Sequence, residues 1–212
     1  MALEFRLSGG ENNTDPNGSI GGQRSDTLVT TDVLENLFDN ITRNEALQGR
    51  TEYRCIYIYN TGAGHLSGVT VEVSVNPGVT IFSKGLDPAG KGDGRTTGIA
   101  TTIATEDTTP VGVKFFGEDI LSADGPFDTV ILPIGLLFSG EGSPIWLKRV
   151  TETGIAQTIN VTLAVKHDAV TLPAVTVDDG GAIGEYIAVT TTVTGQFKIG
   201  TARIGFSNIG PT

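Results

Sequence analysis

Apolar and polar residues alternate with a period of two along much of this chain, which is the repeat of a half-buried β-strand. The clearest run is Val69-Thr70-Val71-Glu72-Val73-Ser74-Val75. Just upstream, Tyr53-Arg54-Cys55-Ile56-Tyr57-Ile58-Tyr59-Asn60 is dominated by aromatic and β-branched residues, and Asn60-Thr61-Gly62 closes it as a turn. Asn76-Pro77-Gly78 is a second turn and leads into Val79-Thr80-Ile81-Phe82. The short link between residues 60 and 68 predicts that 53–60 and 69–75 pair as neighbours. Strands packed this densely, with short connections, indicate an antiparallel β-sandwich.

The same pattern extends in both directions. Residues 3–7 alternate as a short strand. Residues 83–110 read as a long excursion, with loop at 83–94, a weak strand at 96–105 and a turn at 106–110. Residues 111–116 return as a strand, and 119–128 are loop. The run 129–134 is broken by Pro133, which assigns it to an edge or a bulge. Runs 144–150 and 157–165 close the sandwich. Alternation places Trp146, Lys148 and Val150 on one face and Ile145, Leu147 and Arg149 on the other. From Asp168 onward, 169–173 and 174–177 are short strands, and 186–193 and 197–206 form a hairpin around Thr194-Gly195.

Only one stretch has a convincing helical period. Thr31 or Asp32 caps it, Glu35 completes a capping box, and Val33, Leu34, Leu37, Phe38 and Ile41 recur at helical spacing over about 32–40. A second turn, 42–47, ends at Gly49. Before it, residues 8–26 are polar and glycine-rich, with almost nothing to bury. They read either as a flexible linker or as an arm that becomes ordered on a partner. The expected fold is all-β: an antiparallel immunoglobulin-like β-sandwich with an extended N-terminal arm, one short helix and a β-rich C-terminal extension. Its divisions are 1–50 (strand, arm and helix), 51–167 (sandwich) and 168–212 (extension).

Composition narrows the functional classes. The chain has 212 residues and a net charge of −10, which argues against nucleic-acid binding, since phosphate neutralisation needs clustered Lys and Arg. The acid excess is spread out and reads as a solubility feature. With one cysteine, Cys55, the chain can form neither an internal disulfide nor a cysteine metal cluster. Cys55 lies inside a strand and is expected to be buried, with Arg54 on the opposite face. Residues 1–7 read as a strand rather than a secretory signal, and no apolar run has the length of a membrane helix. These features predict a soluble chain made in a cytoplasm. Asn12, Asn40 and Asn160 begin glycosylation sequons, read here as chance matches in a Thr-rich sequence.

Candidate chemistry is sparse. Gly85-Leu86-Asp87-Pro88-Ala89-Gly90-Lys91-Gly92 is one residue short of a phosphate-binding loop, with Gly92 where a Ser or Thr would hold magnesium. Asp93-Gly94-Arg95 follows it, which is no helix start. His65 is expected in an exposed turn. His167 and Asp168 are strand neighbours that tend to point apart, and no Gly-x-Ser-x-Gly elbow is present. Asp87 with Asp93, Glu118 with Asp119, and Asp178 with Asp179 share loops that offer oxygens to calcium without the spacing of a calcium loop. Trp146 is read as core, or, if exposed, as an interface or sugar-stacking residue. No catalytic, cofactor or metal-ligating residue is assigned.

One set of motifs points to a family. Leu7-Ser8-Gly9-Gly10, Asp15-Pro16, Ile20-Gly21-Gly22, Leu37-Phe38-Asp39, Glu45-Ala46, Glu52-Tyr53-Arg54-Cys55-Ile56-Tyr57 and Ile145-Trp146-Leu147-Lys148-Arg149 together resemble a group of tailed-bacteriophage virion structural proteins. The resemblance spans roughly residues 3–165, and its most specific part is 52–60 combined with Leu37-Phe38-Asp39. It implies a non-enzymatic virion component, either decorating the capsid lattice or supporting fibres at the tail or baseplate. Its implied partners are other virion proteins and repeated copies of itself. The alternatives are a receptor- or carbohydrate-binding module at a tail tip, with a host surface glycan as partner, and a glycan hydrolase needing two converging carboxylates.

Overall fold

The computed structural model of the chain describes residues 3–30, 36–75, 80–116, 130–151, 160–167, 170–171 and 175–178. In chain order the elements are β1 (Leu3–Leu7), a 3-10 turn (Pro16–Gly18), α1 (Arg43–Gln48), β2 (Arg50–Asn60), β3 (Leu66–Val75), β4 (Thr80–Leu86), β5 (Lys114–Phe116), β6 (Val130–Leu137), β7 (Gly142–Thr151), β8 (Asn160–His167), β9 (Val170–Thr171) and β10 (Val175–Asp178). They form two antiparallel sheets. The first has the order β1-β2-β7-β4-β5, and the second β10-β8-β3-β6, with β9 paired to β8. The all-β expectation therefore holds, and strands from all three sequence divisions enter the sheets.

The two sheets face each other across an apolar core. Phe5, Leu7, Ile56, Ile58, Ile145 and Leu147 from the first sheet meet Val69, Val71, Leu132, Ile134 and Leu137 from the second. Alternation also carries side chains of β2 and β7 to the other face of the first sheet. There Tyr53, Cys55, Tyr57 and Trp146 pack with Ala100 and Ile103. The first sheet is thus a middle layer, covered on one side by the second sheet and on the other by chain segments 8–26 and 87–113. The predicted faces of 145–149 are observed, and Trp146 is a core residue with no exposure.

Several expectations are corrected. Residues 53–60 and 69–75 do not pair: β2 is in the first sheet and β3 in the second. Both edges of β2 are taken, one by β1 and the other by β7, so no edge remains for β3. The chain instead crosses between sheets at 61–65. Asn60 pins the crossover, its Nδ2 donating to the carbonyls of Gly64 and Phe138 at 2.8 and 3.1 Å while its Oδ1 accepts from Gly62 N at 2.9 Å.

The helix expected over 32–40 is absent from its described part, since 36–40 is irregular. The carbonyls of Leu37 and Asp39, which a helix would use internally, accept hydrogen bonds from Arg54 and Arg149 instead. The second turn forms as α1. Thr42 caps it with a reciprocal capping box to Glu45, and Gly49 ends it at φ 75°.

Residues 8–26 are not a free arm. They pack on the first sheet, with Ser8, Ser19, Arg24 and Ser25 buried. Their groups are mostly backbone, and the sheet satisfies them: Cys55 N donates to Ser19 O at 2.7 Å, and Ile103 N to Ile20 O at 3.0 Å. Residues 83–86 belong to β4 rather than to a loop. The weak strand expected at 96–105 is reduced to an isolated bridge between Gly22 and Ala100. Pro133 does sit on an edge strand, opposite Thr70 where the β3–β6 register shifts. The expected hairpin at 186–206 lies outside the described residues.

Close approach of 8–26 to the 87–113 loop depends on Gly21. Its φ is 94°, and a Cβ there would sit 1.8 Å from the Thr101 carbonyl oxygen. Gly21→Ala is expected to destabilise the protein by more than about 1 kcal/mol. Urea unfolding of both proteins checks this, and an unchanged midpoint would show that the segment packs differently.

Candidate functional site: a buried arginine–carboxylate cluster

The ladder between β2 and β7 places Glu52 directly opposite Arg149 and Arg54 opposite Leu147. Arg54 and Arg149 lie on the face that also carries Ile56 and Ile145, and both are fully buried at 0% exposure. A guanidinium without water must find every partner within the protein.

Arg54 donates from Nε to Leu37 O at 3.0 Å, from Nη1 to Tyr53 O at 3.2 Å, and from Nη2 to Asn17 Oδ1 at 3.1 Å. Its Nη2 also pairs with Glu106. Arg149 donates from Nε to Glu52 Oε2 at 2.8 Å and from Nη1 to Asp39 O at 3.0 Å. A second bond from its Nη2 makes the pair with Glu52 two-pronged. The Phe38 ring stacks near both, 5.4 Å from Arg54 and 4.8 Å from Arg149.

A third arginine closes the mouth. Arg50 pairs with Glu45 of α1, with Glu106, and with Glu52 at 3.0 Å. The cluster therefore ties together β2, β7, α1, the 36–41 segment, the 3-10 turn and the loop carrying Glu106. Asp39, Glu52 and Glu106 bring carboxylate oxygens within 4.8 Å of one another. Three arginines already neutralise that acidic triangle, and a cation entering it would have to displace them. The cluster acts as a tie, and nothing in it presents an activated nucleophile.

A second polar set lies on the opposite face of the first sheet. Asp87 is buried and accepts from Trp146 Nε1 at 2.7 Å, Thr101 N at 2.9 Å and Ala89 N at 2.8 Å. The Tyr57 hydroxyl donates to Gly22 O at 2.7 Å and accepts from Ala100 N at 2.8 Å. Burial pushes the Tyr57 phenol and the Cys55 thiol above their ordinary ranges. These bonds fasten segments 8–26 and 87–113 to the sheet.

The residues singled out in the sequence fall into structural positions. Gly85 and Leu86 end β4, and Gly92 pairs backbone-to-backbone with Gly142, so the phosphate-loop segment opens no helix. Both Asp87 oxygens are bonded. Asp93 Oδ1 caps the amides of Arg95, Thr96 and Thr97, and the Thr96 hydroxyl donates to its Oδ2. These bonds hold the Asp93 carboxyl well below the usual range, the Thr96 side chain contributing most.

His65 is exposed in the crossover turn, and His167 is half-buried at the end of β8. Asp168, Glu118, Asp119 and Asp179 lie outside the described residues. Sequence reasoning missed the arginine cluster. Its signal was present in Glu52, Arg54 and Arg149, charged residues inside runs otherwise fit for a buried strand.

No family model matches the chain, and no curated protein matches it. Among solved structures, it is similar to a family 123 glycoside hydrolase from Clostridium perfringens at 11% identity and a TM-score of 0.27, covering 60% of this chain and 20% of that one.

Two predictions follow from the site. Removing one partner of the buried pair, in Arg149→Met or Glu52→Gln, should cost about 3–5 kcal/mol in urea unfolding, with the double variant recovering part of the loss. Full additivity would show that the two groups are not coupled.

Stability should also fall at both ends of the pH scale. Arg95 holds Asp26 low, Thr96 holds Asp93 low and Thr105 holds Asp107 low. Their contribution is present above the unfolded carboxylate value of about 3.9 and is lost as pH falls further. Cys55 and Tyr57 are raised, so their contribution is complete below the unfolded thiol value of about 8.5 and is lost as pH rises. In thermal unfolding against pH, Cys55→Ala should delay the alkaline loss and leave the acid loss unchanged.

Proposed function

We propose that this chain is a non-enzymatic structural component of a tailed-phage particle. In this reading it is an accessory protein, bound in repeated copies to the capsid lattice or to the tail or baseplate as a fibre-supporting part. The observation that carries the reading is where the family-like motifs come together. Leu37-Phe38-Asp39, Glu45, Glu52, Arg54 and Arg149 come from four separate stretches of the chain and meet in one buried cluster. In this reading the motifs specify a tie between layers, as a particle component needs.

Two further observations support it. Asp87, an acid singled out in the sequence, is occupied structurally by Trp146. Trp146 is buried and offers no surface for sugar stacking, while Phe116 and Phe138 are exposed. No helix among the described residues is long and apolar enough to cross a membrane.

The test uses the purified full-length chain and particles lacking it. Saturable co-sedimentation at a fixed copy number is expected, together with no turnover of nucleotides, peptidoglycan or polysaccharides. Failure to bind particles, or turnover that disappears in His167→Ala, would sink the reading.

A further inference from the structure

Segment 8–26 leaves and rejoins the first sheet at adjacent points. Ser25 N donates to Leu7 O at 2.9 Å, and Leu7 N to Thr27 O at 3.0 Å. The excursion is therefore a closed loop whose ends stay fixed when its middle moves. Its only large aliphatic side chain is Ile20, which is half-buried. Its grip on the rest of the molecule is polar, through backbone bonds such as Arg24 N to Gly94 O at 2.8 Å.

A charged clasp fastens the end of this loop. Asp26 forms ion pairs with Arg95 Nη2 at 2.7 Å, Arg6 Nη1 at 3.0 Å and Arg24 Nη1 at 3.4 Å. Arg95 Nη1 also reaches Glu11 at 2.8 Å. The Asp26 side chain is 59% exposed, so water and salt reach the clasp. Underneath lies Cys55, with no exposure. Ser19 accepts its backbone N–H, and the Ser8 side chain hydrogen-bonds its thiol.

We propose that segment 8–26 is a strap that opens as a local unit while the sandwich stays folded, with the Asp26–Arg95 clasp as its latch. Regions of this kind, held by polar bonds and poor in apolar contacts, open below the global unfolding free energy. Opening bares Cys55 and the outer face of β2. In the closed form the thiol is inert, because it is buried and protonated.

The single cysteine makes the experiment direct. The full-length protein is treated with an aromatic disulfide reagent in low urea, and global unfolding is followed separately, on unlabelled protein, by far-ultraviolet circular dichroism of its sheets. Cys55 should react at a rate whose urea dependence is much shallower than that of global unfolding. Asp26→Asn should raise that rate about threefold, as loss of a surface clasp allows. Arg95→Met, on the other side of the latch, should do the same.

Salt at about 0.5 M should accelerate the wild type towards the variants and accelerate Asp26→Asn less, through its remaining Arg95–Glu11 pair. Reaction only at the global unfolding rate, with its full urea dependence, would overturn the proposal. So would accelerations in the variants that merely match their loss of global stability.

Discussion

The β2–β7 ladder is buried on both of its faces, and the rest of the architecture accommodates that constraint. Ile56, Ile58, Ile145 and Leu147 need cover on one side, and Cys55, Tyr57 and Trp146 on the other. One opposing sheet cannot provide both. The second sheet covers the first set, and two irregular segments, 8–26 and 87–113, cover the other. Hydrophobic burial thus decides where polar, glycine-rich chain must go. These segments contribute little apolar surface themselves but exclude water from a row of aromatic residues.

Covering a sheet face with irregular backbone raises the problem of stranded polar groups. Here the solution is reciprocal. The free N–H groups of Tyr53 and Cys55, beyond the reach of β1, donate to Glu106 and Ser19. Tyr57 and Asp87 take up amides and carbonyls of the covering segments. At one end of the sandwich, Arg54 and Arg149 do the same for the 36–41 segment. A buried ion pair of this sort adds little net stability compared with an apolar pair, but its geometry is unforgiving. It fixes which segment closes the end of the sandwich, and in what register.

Such a body suits a part that must hold its shape among neighbours, which is the physical appeal of the virion reading. Among the described residues, Arg54, Arg149, Glu52 and Asp87 are engaged in holding layers together. Asp93, whose loop has acids but not the spacing of a calcium site, caps the turn that follows it. The proposed strap across Cys55 is held by a polar grip with little apolar burial of its own.

Much of the fold could be read from the sequence alone. The period-two runs located β1, β2, β3, β7 and β8 and the two faces of 145–149. Pro133 marked an edge strand, and the 42–47 turn ending at Gly49 marked α1, because these are local effects of hydrogen bonding and backbone geometry. What local pattern could not supply was the choice among partners. The short 60–68 link is compatible with a hairpin or with a crossover, and only occupation of both β2 edges decides for the crossover. Leu37, Phe38 and Ile41 have a helical period, yet carbonyls 37 and 39 are claimed by arginines distant in sequence. Segment 8–26 looks like a free arm because its own side chains bury nothing. Its place is set by the surface it covers, and that surface exists only once β2 and β7 have paired.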